Sequence, residues 1–206
     1  MVVDPNRVRA VQSLLAQNNC DVVISDDGLQ HYALGRDIEI IVVSAKRGLG
    51  NGFRLPVGPL RESVARLKQA DFVLGNDIVA SHGVQLTPTA WVHTAADRKR
   101  VDPRYFAGKS AHCIAGIAYP EGFFELCEDL GVQVIRYPLP DHAEDYEDVL
   151  SRVDREQSDL VLLTEKDAVK TPDGAGLDIW YLEVVAQLEE SFTALLASRL
   201  EAASKG

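Results

Sequence analysis

Short apolar runs, many of them rich in β-branched residues, recur along this chain with helical stretches between them. That alternation limits the fold more than any other feature of the sequence. The strand-like runs are DVVIS (21–25), IEIIVV (38–43), DFVLGN (71–76), AWVHT (90–94), HCIAGIA (112–118), VQVIRYP (132–138), DLVLL (159–163) and IWYL (179–182). Residues 5–17 place Val8, Val11, Leu14 and Leu15 at helical spacing, with Pro5 at a permitted first position. Further helices are expected over 59–69, 120–130, 143–155 and 186–203. A run such as 38–43 reads as a strand buried on both faces, the mark of a parallel sheet flanked by helices. The fold class is therefore α/β. The stretch 77–111 is less regular, with prolines at 88 and 103, and a boundary is expected near 105–111. Residues 1–108 then form one lobe and 109–206 a second, smaller α/β lobe, with a ligand cleft between them.

Charge and cysteine usage remove several function classes. The net charge of −10 argues against nucleic acid as a partner. No stretch approaches the ~18 apolar residues that a membrane span needs. MVVDPNRVRA has no signal-peptide pattern. It opens almost directly into a helix, so the complete fold is expected to begin before Met1. Cys20, Cys113 and Cys127 have no metal-ligand spacing, and reduced thiols suit a cytoplasmic protein. One local reversal stands out. Between Lys46 and Lys68 there are six basic residues against one acid, Glu62. Two readings fit: a solvated helix face with its loop, or an anion-binding patch.

Four clusters carry possible chemistry. DVVISDDG ends an apolar run in Asp26 and Asp27, which sets two carboxylates at the C-terminal edge of a sheet. Such carboxylates hold Mg²⁺ in phosphoryl-transfer enzymes; Asp-Asp-Gly also makes a plain tight turn. Gln30 and His31 add polar groups at the same edge. RGLGNGFRLPVGPLRE (47–62) suits a flexible cradle in which arginines grip a phosphate or carboxylate. It is not a dinucleotide fingerprint, because Phe53 stands where glycine is required and Pro56 interrupts the helix start. Pro140-Asp141-His142 is either an acid–base pair at a helix start or an N-cap beside an exposed histidine. Glu165, Lys166, Asp167 and Lys170 end the 159–163 run, as a functional cluster or a solvated turn. The phosphate-wrapping pattern GxxxxGK[ST] is missing. Its nearest match, Gly108-Lys109-Ser110, has Pro103 in the first glycine position and a strand after it.

In this order, DDGLQHYALGRDIEIIVV, RGLGNGFRLPVGPLRE, RLKQADFVLGN, LPDHAEDYEDV and LTEKDAVK resemble the bacterial tetraacyldisaccharide 4′-kinase family, across essentially the whole chain. The resemblance implies transfer of the ATP γ-phosphoryl to the 4′-hydroxyl of tetraacyldisaccharide 1-phosphate, in lipid A biosynthesis. The implied place is the cytoplasmic, inner face of the Gram-negative inner membrane, with ATP and Mg²⁺ as cofactors. The implied fold is a P-loop-NTPase-like parallel sheet linked to a second α/β lobe. Asp26 and Asp27 match the carboxylates that serve Mg²⁺, with Gln30 and His31 completing the nucleotide block. Asp27, Arg61, Glu62 and His142 match catalytic positions. Arg47, Asn51, Arg54 and Arg61 fall to the lipid substrate. The family's P-loop, catalytic aspartate and membrane-anchoring helix are expected to precede the first residue here, together with strands of the sheet. This chain alone is then a very poor kinase. Two other functions fit the residues: a non-catalytic lipid-phosphate binding or regulatory module, and a Mg²⁺-dependent phosphohydrolase using Asp26 and Asp27.

Overall fold

The computed structural model describes residues 2–44, 48–75, 80–95, 97–141, 143, 145–171 and 176–204. They fall into two compact units, Met1–Gln85 with Gln187–Gly206, and Leu86–Ala186. The chain thus divides at 86 and 187, whereas the sequence suggested 105–111.

In the first unit, helix α1 (Arg7–Gln17) starts where the Asn6 side chain accepts the Arg9 amide, satisfying a free donor of the first turn. Strand β1 (Ile40–Val43) pairs in parallel with β2 (Phe72–Gly75), Ile40 opposite Phe72 and Val43 opposite Gly75. Between them Val64–Gln69 forms a 3-10 helix, in place of the longer helix expected over 59–69. The core here is small. Phe72 and Leu74 pack against Phe192 of the final helix, labelled α5 below, and the two phenyl rings meet edge-to-face at 5.1 Å.

Two expectations fail in this unit. Residues 21–25 are not a strand, and Val22, Val23 and Ile24 are 57%, 38% and 90% exposed. Strand β1 is not buried on both faces either, since Ile40 and Val42 stand open to solvent. The cause is common to both. A β-branched run becomes a buried strand only where a neighbour supplies ladder bonds and a covering layer, and among the described residues nothing does so for 21–25.

The second unit is built on a six-stranded sheet in the order β4-β3-β8-β7-β5-β6. Its strands are β3 (Val84–His93), β4 (Arg100–Val101), β5 (Ser110–Ala115), β6 (Gln133–Pro138), β7 (Leu160–Thr164) and β8 (Asp178–Leu188). β5 pairs in parallel with β6 and β7, and β7 with β8, while β4 runs antiparallel to β3. The sheet is therefore mixed, not wholly parallel, because the connection from β3 to β4 is too short for a parallel crossover. Helices α2 (Pro120–Asp129), α3 (Tyr146–Ser151) and α4 (Glu165–Ala168) follow β5, β6 and β7. The last helix, α5 (Glu190–Ala203), starts later than expected because β8 extends to Leu188.

The period-two alternation of strands sorts this core onto the two faces of the sheet. Cys113, Ala115, Leu160, Leu162, Trp180 and Leu182 pack with Phe123, Phe124 and Cys127 of α2. Ile114, Val161, Leu163, Ile179 and Tyr181 pack with Tyr146 and Leu150 of α3. All three cysteines are free thiols. A hydrogen bond with Cys113, and then burial, push the Cys127 thiol well above its ordinary value, so it stays protonated. No helix among the described residues is long and apolar enough to cross a membrane.

Candidate functional site

The candidate site of the first unit begins at the Asp26-Asp27 turn. Asp27 sits at φ 49°, a left-handed conformation that aspartate tolerates better than most residues. Asp26 Oδ1 accepts the Asp27 amide at 3.0 Å, and its carbonyl accepts Arg7 at 3.2 Å. Glycine fits closely next, since a Cβ on Gly28 would stand 2.6 Å from Ser25 Oγ and would make that side chain turn away. The turn reading and the cation reading are therefore compatible: the Asp26–Asp27 bond occupies one carboxylate oxygen and shapes the turn. Both aspartates are exposed. Among the described residues no group of three His, Cys, Asp or Glu side chains gathers to hold a metal. Two neighbouring carboxylates nevertheless fit Mg²⁺, which takes one or two protein oxygens and fills its shell with water and phosphate.

The chain then folds back on itself, His31 N–H donating to Gly28 at 2.9 Å and Leu34 N–H to His31 at 3.0 Å. This brings together two blocks far apart in sequence. Gln30 Nε2 donates to Glu62 Oε1 at 2.8 Å, Tyr32 also hydrogen-bonds Glu62, and Arg66 Nε stands 3.3 Å from its other oxygen. The Gln30 bond is the main cause that holds Glu62 below the ordinary carboxylate range, against partial burial, which works the other way. Glu62 is thus an ionised acceptor whose position is fixed by donors. The Tyr32 phenol is pushed above its usual value by the same contact.

The glycine-rich loop is built, not slack. Asn51 Nδ2 donates to the Val57 carbonyl and its Oδ1 accepts the Phe53 amide, so Asn51 organises the loop from within. A Cβ at Gly58 would lie 2.2 Å from Asn51 Oδ1 and 2.3 Å from the Phe53 carbonyl, which explains that glycine. Arg54 and Arg61 are exposed. Arg47 and His142 lie outside the described residues.

In the second unit, the segment open to either a functional cluster or a solvated turn holds a buried carboxylate. Asp167, fully buried on α4, accepts Tyr146 OH at 2.5 Å, Gly116 N–H at 3.0 Å and Thr164 Oγ1 at 2.6 Å. Burial first, and then the Asp167 bond, push the Tyr146 phenol up. On the same helix Lys166 stands 3.6 Å from Asp141, and Lys170 Nζ donates to the Ala143 carbonyl at 2.9 Å. The residues on either side of position 142 are therefore tied to α4 and the residues just after it.

Sequence reasoning missed the connecting charges Arg36, Glu39 and Arg66. A signal was present, because Glu39 is the single charge inside the apolar run 38–43.

Fold and cluster together define an α/β protein with polar groups collected at a turn and at strand ends. A family model described as tetraacyldisaccharide-1-P 4′-kinase, LpxK, matches residues 1–201. The chain belongs to this family. It is 45% identical over 204 residues to a tetraacyldisaccharide 4′-kinase of Hahella chejuensis, covering 97% of this chain and 59% of that protein. A tetraacyldisaccharide 4′-kinase of Pseudomonas aeruginosa PAO1 is 41% identical over 205 residues, covering 98% and 61%. The crystal structure of the "apo" form of LpxK from Aquifex aeolicus in complex with ATP superposes with a TM-score of 0.70 at 21% identity. That match covers 94% of this chain and 62% of the other. The chain spans about six tenths of the length of the curated relatives it matches.

Proposed function

We propose that this chain carries the Mg²⁺-facing and lipid-facing part of a tetraacyldisaccharide 4′-kinase. The observation that carries this reading is the contact of Gln30 with Glu62, which joins two blocks of the family pattern beside Asp26 and Asp27. The reaction moves the γ-phosphoryl of ATP to the 4′-hydroxyl of tetraacyldisaccharide 1-phosphate. The bond from the γ-phosphorus to the bridging oxygen breaks, the 4′-oxygen–phosphorus bond forms, ADP leaves, and the hydroxyl proton passes to a base.

Asp26 and Asp27 hold the Mg²⁺, which neutralises phosphate charge when bound. Gln30 and His31 lie at the nucleotide, and Glu62 fixes Gln30 through its side-chain amide. Arg61 acts beside Glu62 in the catalytic set. Arg47, Arg54 and Arg61 grip the lipid's anionic 1-phosphate, as guanidinium groups do with two parallel hydrogen bonds. Asn51 serves the lipid side by holding the loop on which those arginines stand. His142 works with the base that accepts the hydroxyl proton. The P-loop-NTPase-like sheet, the inner face of the inner membrane as place of action and the absence of nucleic acid partners belong to the same reading.

This sequence contains no phosphate-wrapping loop, so the β- and γ-phosphates lack their main cradle when the chain stands alone. Label transfer from [γ-³²P]ATP to tetraacyldisaccharide 1-phosphate tests the proposal, with this chain alone and extended to the full length of its relatives. Transfer only by the extended protein is the expected result. Strong transfer by the chain alone overturns the argument from the missing cradle. Silence in both, with lipid binding retained, means a binding module.

A further inference from the structure

The strongest unassigned feature is a closed ring of charged groups around Gln30. Arg36 donates through one nitrogen to the Leu29 carbonyl at 3.3 Å and through the other to the His31 carbonyl at 3.1 Å. The first nitrogen also donates to Glu39 Oε2 at 2.7 Å. Arg66 reaches that same oxygen at 2.5 Å and stands 3.3 Å from Glu62, which accepts the Gln30 side-chain amide. Arg36 therefore holds the backbone carbonyls on both sides of Gln30, Arg66 holds the Glu62 that accepts the Gln30 side chain, and the two arginines share the Glu39 carboxylate.

Glu39 is also the member of the ring anchored to the sheet. Its amide donates to Asp71 Oδ2 at 2.9 Å, and its carbonyl accepts the amides of Asp71 and Phe72, both at 3.1 Å. It is 9% exposed, and its second oxygen, Oε1, has no hydrogen-bond partner among the described residues. A buried carboxylate with one oxygen unsatisfied is unfavourable as a packing element, and an apolar residue of similar size would serve the entry to β1 better. Its geometry explains its presence by another effect: it links the sheet to the Gln30 segment through Arg36 and to Glu62 through Arg66.

We infer that Glu39 is a positioning residue, which holds Gln30 and His31 against Glu62 by way of Arg36 and Arg66. The inference rests on the reading above that the Gln30–His31 step belongs to the kinase site. Its test is separate, because it reads the local structure of this chain and needs no phosphoryl transfer.

The experiment follows the Gln30 side-chain NH₂ resonances and the amide exchange of His31 and Leu34 by NMR. It compares the chain with Glu39→Gln, Glu39→Asp and the strand control Ile41→Ala; Gln30→Asn assigns the signal. Glu39→Gln keeps the volume and removes the charge. It is expected to move the Gln30 signal to the position of solvated glutamines and to speed exchange at His31 and Leu34 by about tenfold, the factor that loss of one charged hydrogen bond corresponds to. Glu39→Asp keeps the charge and is expected to retain most of the wild-type shift. Ile41→Ala loosens strand β1, which begins just after Glu39, and is expected to leave the Gln30 signal in place. An unmoved signal in Glu39→Gln overturns the proposal, and so does an equal movement in Ile41→Ala, which reduces Glu39 to a structural residue. If Glu39→Gln does not fold, Arg66→Lys replaces it. A single ammonium cannot bridge Glu39 and Glu62 as the guanidinium does, so wild-type shifts in that variant also overturn the proposal.

Discussion

The two units of this molecule use similar sequence patterns and reach different ends. In the second unit, strands β5, β7 and β8 carry buried residues on alternating faces, and helices α2 and α3 close both sides. In the first unit the same kind of apolar run stands open at 21–25 and along β1, and the buried cluster is reduced to Phe72, Leu74 and Phe192. A hollow of about 290 Å³ lies between α1 and residues 23–26, lined by Val11, Leu14, Val23 and Ile24 among others, with Arg7 and Asp26. What orders this unit is polar: the Arg36–Glu39–Arg66–Glu62 ring and the Asp26 turn. Burial secures the second unit, and directional bonds between charged groups secure the functional segments of the first.

That contrast predicts unequal responses to truncation. Phe124→Ala in the second unit removes a fully buried ring, and is expected to lower stability by about 3–5 kcal/mol. Val42→Ala in the first unit trims a side chain that is 69% exposed, and a change within ~0.5 kcal/mol is expected. Both tryptophans, Trp91 and Trp180, lie in the second unit, so denaturant unfolding followed by their fluorescence reads that unit directly. Calorimetry covers the whole chain. Comparable losses for the two variants would erase the distinction between the units.

A smaller effect tests polar order inside the better-packed unit. Asp167→Asn keeps the shape and removes the charge that accepts Tyr146, Gly116 and Thr164. The amide can turn only one oxygen toward these three donors, and leaving one buried donor unsatisfied corresponds to roughly 2 kcal/mol. Thermal unfolding measures the loss. If Asp167→Asn is as stable as the parent chain, the carboxylate is not the fastening of α4 to β5 and α3 that its contacts describe.

Much of this arrangement is legible in the sequence, for reasons particular to each element. α2 reads cleanly because Pro120 opens it and Phe123, Phe124 and Cys127 repeat at helical spacing. β7 reads cleanly because its five residues are apolar up to Thr164, whose side chain then caps α4. The run 21–25 misleads because composition reports the tendency to be a strand, while the pairing partner decides whether one forms. β4 is two residues long and held by pairing with β3, too short for any pattern to register. Within the candidate site, the sequence names Gln30 and Glu62 by their blocks but not their contact. It does not connect Arg36, Glu39 and Arg66 into one ring, because the Glu39–Arg66 and Gln30–Glu62 bonds that close it join residues roughly thirty positions apart and leave no periodic trace. Asp167 was visible only as one charge among several, and its burial is a fact of the fold.

The weakest energetic effect gives the sharpest readout of how directional bonds act in the second unit. Glu183 on β8 faces Arg100 of the short edge strand β4, and both guanidinium nitrogens reach its carboxylate at 2.7 Å. Thr89 donates to the same group at 2.7 Å. The Arg100 bonds first, and Thr89 next, hold the Glu183 carboxyl down at about 2. The folded value lies below the unfolded one, so the stabilising contribution is present above the ordinary glutamate range and is lost as pH falls through about 2. Exposed ion pairs contribute little to stability, which makes the titration midpoint, not the unfolding temperature, the quantity to follow. A ¹³C titration of the Glu183 carboxyl is expected to show its midpoint near 2 in the parent chain. Arg100→Ala should return it to the ordinary range, and Thr89→Val should move it less. In the first unit, Glu62 is lowered chiefly by the neutral Gln30 amide, so Gln30→Ala should raise its midpoint more than Arg66→Ala does. If Arg100→Ala left Glu183 unmoved, the bidentate pair would be a contact without electrostatic effect. Neighbouring charge would then not distinguish how the two units hold their carboxylates.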